Sequence, residues 1–204
     1  QGVAARYTQA NAREIRYADR AGRFHDTSAA VANGAWRESR VTVRYDDGTV
    51  TAANGGAKGG GDFVFKTPYG NLAVGPCNWA ALAGDKRALA VSAPLASDGK
   101  TADIAFSEEY AYMNGRGRFV RTALGGTDGE LVRDFLAPNE ERVISRDTKG
   151  EVELPYVAQE IRSIGYAGRD NGAIRFTVTN GVTRFKPAPA DWEIRVTRAP
   201  VDNP

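Results

Sequence analysis

The sequence of 204 residues is 42% hydrophobic and 25% charged, with a formal net charge of +2. Those values fit one good-sized globular domain, or two small ones sharing a sheet, and exclude a disordered chain and an overall nucleic-acid electrostatic footprint. No apolar run approaches the ~20 residues of a membrane-spanning helix, and a single Cys and a single His exclude an internal disulfide and the usual zinc sets.

The chain starts Gln1-Gly2 without an initiator Met, the kind of start a cleaved leader leaves, so a periplasmic or secreted protein is expected. Arginine outnumbers lysine 21 to 6, which with abundant Ala and Gly reads as bacterial coding bias. Residues 1–44 hold eight Arg against Glu14, Asp19, Asp26 and Glu38, either an anion-facing patch or a solvated strand face.

The first predicted strand holds Ile15 and Tyr17, alternating with Arg16. It enters Tyr17-Ala18-Asp19-Arg20-Ala21-Gly22-Arg23-Phe24, a phrase that returns as Tyr112-Met113-Asn114-Gly115-Arg116-Gly117-Arg118-Phe119. An aromatic strand end, a polar turn that tolerates positive φ and a second strand predict a β-hairpin at both places. Looser versions occur at Tyr45-Asp46-Asp47-Gly48 and Tyr166-Ala167-Gly168. Arg40-Val41-Thr42-Val43-Arg44-Tyr45 and Thr49-Val50-Thr51 make the clearest hairpin, with Val41, Val43 and Tyr45 on one side and Arg40, Thr42 and Arg44 on the other.

Residues 54–61 read as a Gly-rich loop that lacks the Gly-Lys-Ser/Thr of a phosphate cradle. Phe63-Val64-Phe65 and Leu72-Ala73-Val74 flank a turn at residues 67–71, and residues 80–91 fit either a helix or two buried strands. Ile104-Ala105-Phe106 and Phe119-Val120 read as strands. Two helices are predicted: one over residues 130–136, capped by Asp128, and one from Pro155 to Gly165 with Val157, Ile161 and Ile164 on one face. Ile174 to Val178 and Val182 to Phe185 flank Asn180-Gly181, the strongest two-residue hairpin signal. The expected fold is mainly β, an antiparallel hairpin-built sandwich, jelly roll or barrel with one or two short helices. Residues 1–186 are expected to form one domain, with the Pro-containing strand and tail 187–204 packed on it.

Few residues carry chemistry. His25 beside Asp26 is a candidate general base. Glu151 and Glu153 share a face if they lie in a strand, and paired carboxylates divide acid and base duties in glycoside hydrolysis. Cys77 is a candidate nucleophile, with a small buried core residue as the plain alternative. Trp36, Trp79 and Trp192, with Tyr69 and Tyr110, are candidate sugar-stacking platforms, and an exposed Trp192 in the Pro-rich tail would mark a ligand face. Tyr112, Arg116 and Arg118 complete the candidate ligand-binding set; the alternating Arg residues equally suit a solvent-facing sheet. No metal and no cofactor is expected.

This supply points to a non-catalytic exported bacterial binding or envelope-assembly protein, its ligand a glycan or an anionic amphipathic lipid, with no nucleic-acid partner. One alternative is a secreted polysaccharide-active enzyme, a hydrolase through Glu151 and Glu153 or a lyase through Tyr, Arg and His25. The other is a phage or surface-layer subunit forming a homo-oligomer through hairpin edges. The phrase Ile15-Arg16-Tyr17…Gly22-Arg23-Phe24 resembles hairpin repeats of periplasmic lipopolysaccharide-transport proteins over a small part of the chain, and the segments near 130 and 157 depart from them.

Overall fold

The structure, a computed structural model, describes residues 8–56, 62–67, 70–94, 101–189 and 191–200. Strands make up 54% and helical residues 8%, so the fold is mainly β and antiparallel, as expected. The chain divides into two compact units, residues 1–107 and 108–204.

In the first unit, β1 (Ala12–Ala18) and β2 (Phe24–Asp26) form a hairpin. Helix α1 (Thr27–Asn33) follows, capped by Asp26, whose Oδ1 accepts from the Ala29 amide at 2.8 Å. A 3-10 turn (Ala35–Glu38) leads into β3 (Arg40–Tyr45) and β4 (Val50–Asn54). Then come β5 (Phe63–Thr67), β6 (Gly70–Val74), β7 (Trp79–Leu82), β8 (Leu89–Pro94) and β9 (Thr101–Phe106). Seven strands form a sheet ordered β9-β8-β7-β4-β3-β1-β2, while β5 and β6 pair with each other. Asn54 ties that hairpin to the sheet by donating from Nδ2 to the Val74 carbonyl at 3.0 Å. The core between them is built from small side chains, with Ala52, Ala80, Ala83, Ala88 and Ala102 buried beside Phe65, Val74, Leu89, Val91 and Ile104.

The alternation predicted for β3 is present, yet the buried end of the strand is a charge. Arg40 is 0% exposed, and its Nη2 donates to the Asp19 carbonyl at 2.5 Å. Residues 80–91 resolve as the two strands β7 and β8. Residues 57–61 of the Gly-rich loop, and Tyr69 among the aromatic candidates, lie outside the described residues.

The second unit stacks two sheets. One has the order β17-β16-β20-β14-β13-β10, using β10 (Tyr110–Asn114), β13 (Glu130–Ala137), β14 (Glu140–Arg146), β16 (Ala158–Ile164), β17 (Asp170–Ala173) and β20 (Glu193–Arg198). The other has the order β11-β12-β15-β19-β18, using β11 (Val120–Thr122), β12 (Gly125–Thr127), β15 (Val152–Leu154), β18 (Phe176–Thr179) and β19 (Val182–Phe185). The strand of the Pro-containing tail, β20, sits between β14 and β16 as an interior strand of its sheet. Registers put Met113, Leu131, Val143, Ile161, Ile194 and Val196 on the inner face, against Val120, Val152, Leu154 and Phe185 of the facing sheet.

Both predicted helices are strands. Residues 130–136 lie in β13, where Leu131, Arg133 and Phe135 share the inner face with Val143 and Glu141 of β14. Arg133 is buried there and paired, so the apolar alternation that marks a strand is interrupted by a charge and imitates a helical spacing. Residues 158–164 form β16, whose two sides are taken by β20 and β17; ladder pairing overrides the helical spacing of Val157, Ile161 and Ile164. The second copy of the repeated phrase also departs from expectation. It does not close a hairpin, because β10 pairs with β13 while the chain beyond Phe119 enters the other sheet as β11.

Candidate functional site

His25 sits on β2 directly opposite Tyr17 in the hairpin register. Its Nε2 lies 3.0 Å from Asp19 Oδ2, not on the adjacent Asp26, whose carboxylate caps α1. The same Asp19 carboxylate accepts from the Arg23 amide and from Arg23 Nε, each at 3.0 Å. These donors, His25 foremost, hold the Asp19 carboxyl well below the usual carboxylate range. An ionised carboxylate only accepts, so the hydrogen of the His25 ring is assigned to Nε2. The pair borders a cavity of about 380 Å³ lined also by Arg20, Arg23, Asn33 and Glu38.

The carboxylate pair is split in character. Glu153 on β15 is 4% exposed and held by Arg121, at 2.5 and 2.6 Å, and by Arg184 Nε at 2.7 Å. The Arg121 bonds lead in pulling its carboxyl below the usual range, with Arg184 adding to them against the effect of burial. Glu151 is exposed, just ahead of the strand. A carboxylate clamped by two guanidiniums is a poor proton donor near neutral pH, so what the geometry gives Glu153 is a fixed negative charge.

Tyr112 lies half-buried on the outer face of its sheet, and Arg116 and Arg118 are exposed in the following turn, with Arg116 at φ 52°. Cys77 is an exposed free thiol at φ 62°, which sets aside the buried-core reading. His25 and Cys77 belong to the first unit, Glu151, Glu153, Tyr112 and Trp192 to the second. Among the described residues no group of three or more His, Cys, Asp or Glu is placed to hold a metal ion, and no helix is long and apolar enough to cross a membrane.

Trp192 is 66% exposed and packs edge-on against Tyr166, itself 77% exposed, with ring centroids 5.5 Å apart and planes at 77°. Both rings stand on fixed backbone. The Trp192 amide donates to the Ile164 carbonyl at 3.0 Å, and Gly165 N to the Arg169 carbonyl at 2.7 Å. The neighbouring Asp191 accepts from Ser163 Oγ and, at 2.7 Å, from the Ala188 amide. Asp191 also lines a cavity of about 550 Å³ whose other polar walls include Ser145, Arg146, Asp147, Thr148 and Lys149.

Sequence reasoning passed over three features. Asp19 stood inside the repeated phrase, read there as turn chemistry and not as the partner of His25. Tyr166 stood inside a hairpin signal, not as half of an aromatic pair. The third is a buried ion cluster: Arg133 grips Glu141 through two bonds of 2.9 and 2.7 Å, Arg198 pairs with the same carboxylate, and Tyr156 donates its hydroxyl at 2.9 Å. Arg198 also lies 4.5 Å over the Tyr156 ring. Burial pushes the Tyr156 phenol up to about 12, against the opposing pull of Arg133. No local signal marks this cluster, because Arg133 and Glu141 come from adjacent strands, Arg198 from β20 and Tyr156 from ahead of β16, and only the pairing of those strands brings them together.

No protein-family model, no curated protein and no solved structure matches this chain.

Proposed function

We propose that the protein is a non-catalytic bacterial binding module, periplasmic or secreted, that takes a glycan on the Tyr166–Trp192 pair. The observation that carries this reading is two large aromatic rings left exposed, at right angles to each other, on backbone that hydrogen bonds hold in place. Exposed aromatic surface on a rigid support is what sugar rings stack on, and orienting it in advance reduces the entropy lost on binding. The adjoining cavity supplies hydroxyls, carboxylates and the cations Arg146 and Lys149 for the polar edge of a saccharide.

The competing reading, an enzyme acting on polysaccharide, asks Glu153 for acid–base work while two arginines hold it ionised. Calorimetric titration with a panel of bacterial envelope glycans tests the proposal. Saturable binding is expected, weakened at least about tenfold in Trp192→Ala, whose exposed side chain leaves the fold intact. Equal binding by the variant, or none by the wild type across the panel, overturns it. Release of reducing sugar that is lost in Glu153→Gln would establish the enzyme instead.

A further inference from the structure

We propose that the cavity beside the first hairpin of the first unit binds a tetrahedral oxyanion, a sulfate or a phosphate, either free or borne on a larger molecule. Arg20 and Arg23 stand at its rim with side chains 72% and 77% exposed. Each is tethered through Nε alone: Arg20 to Glu38 Oε1 at 2.9 Å and Arg23 to Asp19 Oδ2 at 3.0 Å. Their four terminal amino groups have no hydrogen-bond partner among the described residues, and a guanidinium presents those groups in the planar fork that oxyanions accept. The two carboxylates therefore serve as holders that fix where the donors stand, Glu38 through Oε1 while its Oε2 is buried without a partner.

The His25 ring forms part of the cavity wall, with Nε2 3.0 Å from Asp19 Oδ2. The groups facing it are Tyr17 from β1, Asp19, Arg20 and Arg23 from the turn, and Glu38 from the 3-10 turn. Arg40 of β3 lies beneath, on the Asp19 carbonyl, and α1 contributes no titratable side chain. The two exposed guanidiniums of Arg20 and Arg23 are therefore the donors that an oxyanion in the cavity would meet. The site belongs to the Arg-rich stretch whose surplus the first 44 residues display.

The test titrates the full chain with sodium sulfate at low ionic strength and neutral pH. Saturable one-to-one binding is expected, weakening as salt is added. Arg20→Ala combined with Arg23→Ala is expected to weaken it at least about tenfold, and Arg23→Gln alone by a smaller factor. Both positions are exposed, so neither variant threatens the fold. Repeating the titration with inorganic phosphate and with phosphatidylglycerol vesicles separates a free ion from a lipid headgroup as the source. Trp192→Ala is expected to leave all of these curves unchanged, which keeps the result independent of the glycan reading. Absence of saturable binding to every probe, or binding that the double variant retains in full, overturns the proposal.

Discussion

At residues 17–24 the repeated phrase closes on itself: Ala18 pairs with Phe24, and the Asp19 amide donates to the Arg23 carbonyl at 2.9 Å. At residues 112–119 the same letters turn a corner between two sheets, held from outside by Gly117 N on the Asp128 carbonyl at 2.8 Å and Gly115 N on the Gly129 carbonyl at 2.9 Å. The shared parts behave alike. Gly22 and Gly117 take φ of 78° and 80°, and Ala18 and Met113 are both buried. Of the four positions that differ, the third and fourth decide the outcome, Asp19-Arg20 against Asn114-Gly115. A carboxylate can hold the turn from within by gripping Arg23, whereas Asn114 holds only the Arg116 amide, at 2.8 Å. Gly115 then lets the strand of residues 125–127 come close enough to take over.

Breaking the second arrangement should cost most at that glycine. A Cβ on Gly115 would lie 2.4 Å from the Arg118 carbonyl oxygen and 2.5 Å from that of Thr127, both backbone atoms with little freedom to retreat. Gly115→Ala is expected to destabilise the second unit by about 4 kcal/mol or more, read as a collapse of its urea unfolding midpoint. The matching change in the first copy, Arg20→Ala, touches an exposed side chain and is expected to stay within about 0.5 kcal/mol.

The ion pairs attached to the two copies rank next. Glu153 lies buried beneath Arg121, two residues past the second phrase, so Glu153→Gln leaves two guanidiniums facing a neutral group. A loss of about 2 kcal/mol is expected from the same unfolding measurement. The closing aromatics sharpen the comparison at smaller amplitude. Phe119 is half-buried, and its ring reaches within 2.8 Å of where a Gly126 Cβ would stand, while Phe24 is 40% exposed. Phe119→Ala is expected to cost about 2 kcal/mol and Phe24→Ala under about 1 kcal/mol.

The comparison also marks how far sequence reasoning reached. Turn chemistry located β3–β4 and the hairpin at Asn180-Gly181 because those signals are local and both flanking strands pair with each other. The exposure of Trp192 was not legible in the sequence, because a large aromatic is a core residue by default, and its polar, Pro-rich surroundings only made exposure worth testing. The second phrase was misread because whether a turn closes a hairpin or a corner depends on which strand arrives later, here β13 in place of β11. Residues 130–136 and 155–165 imitate helices for a related reason. Their inner faces carry Arg133 and Ser163 among the apolar residues, and what makes those tolerable is a partner elsewhere: Glu141 for one, Asp191 for the other. Burial of a charge is decided by long-range pairing, and period alone does not record it. Helix α1 has the opposite problem, since seven residues of Thr, Ser, Ala, Val and Asn show too little contrast for a helical stripe.

The mildest change converts the first phrase toward the second. Asp19→Asn keeps the shape of the side chain and removes the charge that His25, the Arg23 amide and Arg23 Nε all address. Because the folded carboxyl is held below its ordinary value of 3.8, its contribution to stability is present in full above that value and is lost as acid carries the pH below it. The wild type should therefore lose stability on that acid limb more steeply than Asp19→Asn, while above about pH 5 the variant should be the less stable of the two. Unfolding midpoints collected from neutral to strongly acidic pH check this. If the two proteins gave parallel curves, the hairpin would owe its closure to its backbone bonds alone, and the distinction between an internally held turn and an externally held corner would fall to Gly115 alone.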